Sequence, residues 1–200
     1  MKPDRPYHHG NLKDALLEAA VALIAEVGPQ AFTLREVARR AGVSHNAPYR
    51  HFQDRDELLA AVAAQGFGRL TASMRRASSA GETALERWRL CGRGYIAFAL
   101  EWPEHFTVMF EAAFDVSQYP ECGAAGRAAF ETLVERIREA QAEGGMPEGD
   151  PMPRALVSWA GVHGLAKLAI SRRLPMEPEQ VLGFFDGFGA EAMLRGMAAR

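Results

Sequence analysis

Apolar residues recur every three or four positions along almost the whole 200-residue chain, and no stretch alternates with a period of two. A three-to-four spacing puts one apolar stripe on each of a series of helices; a half-buried strand needs the period of two that is missing. The expected fold class is therefore all-α, with about nine helices. The strongest apolar run, Tyr95 to Leu100, is far shorter than the roughly 20 residues of a membrane-spanning helix. Met1 to Pro6 lacks the apolar core of a secretory signal. Cys91 and Cys122 form no CxxC and no disulfide framework, so a reducing cytoplasm is the expected compartment. Neither has an obvious basic neighbour to lower its pKa, which fits buried thiols better than sensors.

Helix boundaries follow from caps and breakers. Asn11 is placed to cap a first helix with the stripe Leu12, Leu16, Ala20, Leu23, Ile24 and Val27, stopped by Gly28-Pro29. Thr33-Leu34-Arg35-Glu36 reads as a capping box opening a second helix to about Ala41. Gly42-Val43 makes a tight turn, Ser44 caps a third helix to about His51, and Asp54 caps a fourth. Helices are then expected from Glu82 to Glu101, from Pro103, through Phe130 to Gly144, from Arg154 to Leu174, and from Glu177 to about Met197. Ser117 to Gly126 and Met146 to Pro153 read as loops.

Residues 33–52, TLREVARRAGVSHNAPYRHF, describe two short helices joined by a glycine-containing turn. That is a helix-turn-helix, whose second helix is free to enter a major groove. Ala38 is small where two helices must approach, and Leu34, Val37, Ala41 and Val43 supply a small core. His45, Asn46, Tyr49, Arg50 and His51 crowd the reading helix, and all of them can hydrogen-bond phosphates or base edges. The formal charge of −2 argues against nucleic acid only until it is divided. Residues 1–56 carry +1 and four of the six histidines, whereas residues 57–200 carry −3.

Residues 8–62 resemble the N-terminal domain of the TetR family of transcriptional regulators. The resemblance rests on Thr33, Val37, Ala38, Ala41, Gly42, Val43, Ser44, Tyr49, His51, Phe52, Asp54, Arg55 and Leu58. Tyr7 to Leu12 is similar to the opening of one branch of that family, and Trp159 to Gly164 to the Trp–His–Gly signature of its C-terminal domain. The chain departs from the pattern at Pro48, where an aliphatic residue is usual, and at Arg55, where Lys is common. The resemblance implies a DNA-binding domain over 1–56 and an effector-binding and dimerisation domain over 57–200, with helix four connecting them. It implies phosphate contacts from Thr33, Ser44, Tyr49, His51 and Arg55, and base contacts from His45, Asn46 and Arg50. Arg35 joins them as a flanking phosphate contact, while Arg39 and Arg40 fit a solvated face better.

In the C-terminal part, aromatic residues at helical spacing serve either as core or as the wall of an apolar effector pocket. The candidates are Trp88, Tyr95, Phe98, Trp102, Phe106, Phe110, Phe130, Trp159 and His163. His163, as a lone buried histidine, reads first as a satisfied structural donor, with a ligand or interface hydrogen bond as the alternative. Small residues at 161, 164, 183, 187 and 189 suit the close helix approach of a four-helix dimer interface. No GxSxG, HExxH or GxxxxGK motif is present and the histidines lack metal-ligand spacing, so neither an enzyme, a metal site nor a cofactor is expected. The resemblance implies a homodimeric regulator of a near-palindromic operator, a repressor released by a small-molecule effector. A ligand-binding helical module without a DNA role and an activator are the alternatives.

Overall fold

The computed structural model describes residues 12–198; Asn11 and the Tyr7–Gly10 segment lie outside the described residues. Helix α1 (Leu12–Val27) buries Leu16, Leu17, Ala20, Leu23 and Ile24. It stops at Gly28, whose φ of 80° suits a residue without a Cβ. Helix α2 (Leu34–Arg40) carries the expected capping box: Thr33 Oγ1 accepts from the Glu36 amide, and the Glu36 carboxylate accepts from the Thr33 amide. Gly42, with φ of 70°, makes the turn.

The expected third helix is not an α-helix. Residues 44–51 form a turn followed by one 3-10 turn, Pro48–Arg50, entered from Ala47, and Ser44 makes no side-chain cap. Pro48 has no amide to donate back along the chain, which removes the bond a first full α-turn needs. Helix α3 (Arg55–Ser78) opens as expected, with the Asp54 side chain accepting from the Glu57 amide at 2.8 Å.

Helix α4 (Ala84–Glu101) has a second capping box, Thr83 with Glu86, and α5 (Pro103–Glu111) follows at once. The expected loop to Gly126 ends early. Helix α6 (Pro120–Ala142) begins at Pro120, because proline at the first helical position loses no hydrogen bond. Helix α7 (Met152–Ile170) ends four residues before Leu174. The last expected helix is interrupted: α8 (Pro178–Phe184) and α9 (Ala190–Ala198) are joined by a π-turn, Phe185–Gly189. All-α architecture holds, and no strand occurs among the described residues.

Helix α3 organises the molecule. It packs on α1 near its start and on α4, α5 and α6 along its body. One continuous apolar core runs from Leu16 and Phe52 through Leu59, Leu70 and Ile96 to Phe185. A smaller cluster around Trp88, Val134 and Ile137 holds α4, α6 and the start of α7 together. Among the described residues, no helix is long and apolar enough to cross a membrane.

Candidate nucleic-acid interface and effector cavity

The candidate reading surface is set on a buried anchor. Ala47 and Pro48 are buried and Phe52 is 2% exposed. They turn His45, Asn46, Tyr49, Arg50 and His51 outward, and Tyr49 is half exposed although it is a large aromatic. Ser44 and Arg35 lie exposed beside them. Arg35, Arg39 and Arg50 have no ion pair among the described residues, whereas Arg40 is held by Glu26 at 2.7 Å. Thr33 is exposed, but its hydroxyl and amide are both engaged with Glu36, which holds that carboxyl below its usual range. Arg55 is turned inward: it donates to the Gln30 carbonyl at 2.9 Å and to Asp56 at 3.3 Å, tying α3 to the α1–α2 turn. The structure thus gathers eight of the nine sequence-nominated residues on exposed positions and spends the guanidinium of the ninth internally.

Behind this reader, α3, α4, α5, α6 and α7 enclose a cavity of about 570 Å³, within the range of small-molecule sites. Of the nine nominated pocket residues, Tyr95, Phe110, Phe130 and Trp159 line it. Phe106 and His163 stand one layer behind. His163 stacks on Phe106 at 5.2 Å and meets Phe110 edge-on at 4.7 Å. Phe98 is buried core, Trp102 lies under the Arg69 guanidinium at 4.0 Å, and Trp88 donates to Ser158 Oγ at 3.2 Å. Sequence reasoning missed Phe67, Leu70 and Met74 of α3 and Ala129 and Leu133 of α6. They share the stripes of the core and carry no mark of their own. Arg127 and Glu131, at the exposed edge of α6, were also missed.

Inside the cavity wall, Trp159 Nε1–H donates to the Tyr95 hydroxyl at 3.3 Å, and that hydroxyl lies 2.9 Å from His163 Nδ1. Burial pushes the Tyr95 pKa up and the His163 pKa down, with Lys167 adding to the latter and Glu111 opposing it, so burial favours the neutral form of both. The cysteines are thiols: burial pushes Cys91 up to about 12 against the opposing charge of Arg136, and raises Cys122. No cluster of three or more metal-ligating side chains occurs among the described residues.

Gly161 sits against Met193, as the close approach of α7 and α9 requires. Gly164, Gly183 and Gly187 instead face open space, next to the exposed apolar side chains Val157, Leu168, Phe184 and Phe188.

The comparisons bracket both sites. Residues 16–62 match the description "Bacterial regulatory proteins, tetR family", and residues 88–188 match "Tetracyclin repressor-like, C-terminal domain". The HTH-type transcriptional repressor Rv3405c of Mycobacterium tuberculosis is 46% identical over 48 residues, 24% of this chain and 26% of that protein. The match therefore spans about a quarter of that curated relative's length. A solved protein of unknown function from Rhodococcus sp. RHA1 is 36% identical, with a TM-score of 0.83 over 98% of this chain and 100% of that one. FadR from Bacillus subtilis, solved in complex with stearoyl-CoA, shares the fold at 16% identity and a TM-score of 0.77, over 92% and 98% of the two chains. The matched segments coincide with the helix-turn-helix and with four of the five helices around the cavity, and on that agreement the chain belongs to the TetR family of bacterial regulatory proteins.

Proposed function

We propose that this chain is a sequence-specific DNA-binding transcriptional regulator, a repressor that leaves its operator when a small molecule fills the α3–α7 cavity. One observation carries the reading. Helix α3 is unbroken: its N-terminal turn anchors the reader through Asp54, Arg55 and Leu58, and its later turns line the cavity with Phe67, Leu70 and Met74. An effector that binds one tilt of α3 more tightly than another shifts the reader by that differential affinity and by no more.

On this reading residues 1–56 form the DNA-binding unit and residues 57–200 the effector and dimerisation unit, in the cytoplasm and without catalysis. Tyr49, His51, Ser44 and Thr33 meet phosphates, Arg35 flanks them, and His45, Asn46 and Arg50 face base edges. Arg55 acts by holding α3 to the α1–α2 turn. The exposed face of α7, α8 and α9, with Val157, Phe184, Phe188 and the open glycines, meets the same face of a second copy, which gives a near-palindromic operator.

The test is DNA selected by the protein from a random pool, followed by titration of Tyr49→Ala on the selected fragment. Tyr49 is half exposed, so the variant folds, and its affinity should fall at least tenfold. Wild-type affinity should drop steeply with salt, as released counterions require. Retained affinity in Tyr49→Ala together with a flat salt response would refute the reading.

A further inference from the structure

We propose that the α3–α7 cavity takes an amphiphile, a hydrocarbon body without internal polar groups that ends in one anionic head at Arg127. The proposal rests on the effector reading of the cavity and names the ligand class.

The body is set by what the wall cannot offer. Phe67, Leu70, Met74, Phe110, Phe130 and Leu133 present only carbon and sulfur to it. The Tyr95 hydroxyl is the polar group set within this wall, and it is already spent. Indole nitrogen only donates, so the Tyr95 oxygen accepts from Trp159 and its O–H donates to His163 Nδ1. The Trp159 N–H and the Tyr95 O–H then each have an acceptor, with His163 Nδ1 unprotonated and taking the second of them. A hydroxyl or carbonyl part-way along a ligand would leave water and meet no partner, which weakens binding by roughly tenfold.

The head is set by the rim. Arg127 and Glu131 lie one turn apart on α6, both exposed and both at the cavity edge. Their charges do not cancel. Glu131 is paired with Arg138, while Arg127 has no ion pair among the described residues. Gly123, one turn earlier, leaves room for the guanidinium: a Cβ there would sit 3.2 Å from Arg127 Nη1. The rim is therefore a single forked cation beside an apolar chamber, which matches a terminal carboxylate or phosphate and repels an ammonium.

The experiment titrates the full-length protein with decanoate, decyl phosphate, decan-1-ol and decyltrimethylammonium, following tryptophan fluorescence. Decanoate or decyl phosphate should bind at least tenfold more tightly than the alcohol or the ammonium. The ratio between those two anions decides which head the rim prefers. A mid-chain hydroxydecanoate should bind roughly tenfold more weakly than decanoate. Arg127→Gln should bring the decanoate-to-decanol ratio close to one, and Arg127→Lys should restore part of it. Equal affinity for the ammonium, an unchanged ratio in Arg127→Gln, or no binding by any of the four overturns the proposal. The effector reading fails separately. If decanoate binds in the expected order but leaves selected DNA bound, the ligand class stands and the release mechanism falls. If decanol releases DNA as well as decanoate does, the release mechanism stands and the head-group assignment falls.

Discussion

At Gly94 helix α4 closely approaches the backbone of α3. A Cβ at Gly94 would lie 2.8 Å from the Ser73 carbonyl oxygen, 2.9 Å from Met74 Cα and 3.0 Å from Ala77 Cβ. Two of these three atoms are helix backbone and the third is fixed to it, so none can rotate away. The seam is also pinned, because Ser73 Oγ–H donates to the Gly94 carbonyl at 2.9 Å. Ordinary contact begins near 3.4 Å, so Gly94→Ala forces α3 and α4 apart by about half an ångström against a close-packed interior. Alanine gains about 1 kcal/mol in helix propensity, while overpacking of a rigid site costs about 1–3 kcal/mol. With three rigid contacts the cost lies high in its range, and the net loss is about 1–2 kcal/mol. Gly161→Ala is the control: its Cβ meets the Met193 sulfur at 2.9 Å, but that is the end of a flexible side chain. Urea unfolding at matched protein concentration should lower the midpoint for Gly94→Ala at unchanged slope and leave Gly161→Ala near wild type. A Gly94→Ala midpoint at or above wild type, or the reverse order of the two variants, would refute the close-approach reasoning.

Single positions carry two further outcomes. His105 is 1% exposed, and burial together with the Arg69 charge holds its pKa near 4, below the ordinary 6.5. Below pH 6.5 the unfolded chain takes up a proton that the native state refuses. The His105 contribution to stability should therefore fall as pH drops from about 6.5 to 4, by on the order of 3 kcal/mol, and be fully lost below that. His105→Gln should flatten this part of the profile, and an unchanged acid slope in that variant counts against the assignment. Gly164 faces open space within the chain, so Gly164→Ala should gain up to about 1 kcal/mol in helix propensity yet shift sedimentation toward monomer by crowding the copy-to-copy contact. A tighter dimer would remove α7 from that contact.

Local chemistry made much of the fold legible. Thr33 with Glu36, Asp54 with Glu57, and Gly28 and Gly42 each fix a boundary through atoms a few residues apart, and the structure keeps all four. The same pattern at Thr83 and Glu86 was present and went unread. Errors arose where one residue type serves two local purposes. Proline breaks a helix or starts one: Pro120 starts α6 inside the expected loop, and Pro48 reduces the expected reading helix to a single 3-10 turn. The cavity was only half legible for a different reason. It is a gap left among five helices distant in sequence, so Leu70, which lines it, and Leu59, which fills core eleven residues earlier, look alike in the chain. Arg127 is similarly silent until Glu131 is seen to be taken by Arg138.

The proposed division at residue 56 has its own physical content. It falls at the first turn of α3, where Arg55 binds Gln30 and Asp56, and the apolar core passes through it without a break, from Leu16 and Phe52 to Leu59 and Leu70. A flexible linker there would let a ligand fill the body without disturbing the reader. A shared core and a single rigid helix do not, because close-packed interiors shift as units rather than deforming locally. The reader itself is lightly built, one 3-10 turn over Ala47, Pro48 and Phe52. A coupling of about 1–3 kcal/mol is typical between linked sites, and it changes DNA affinity by roughly 5- to 150-fold. That is enough for a switch only if the two reading turns must keep one spacing, which two copies joined through α7, α8 and α9 would impose.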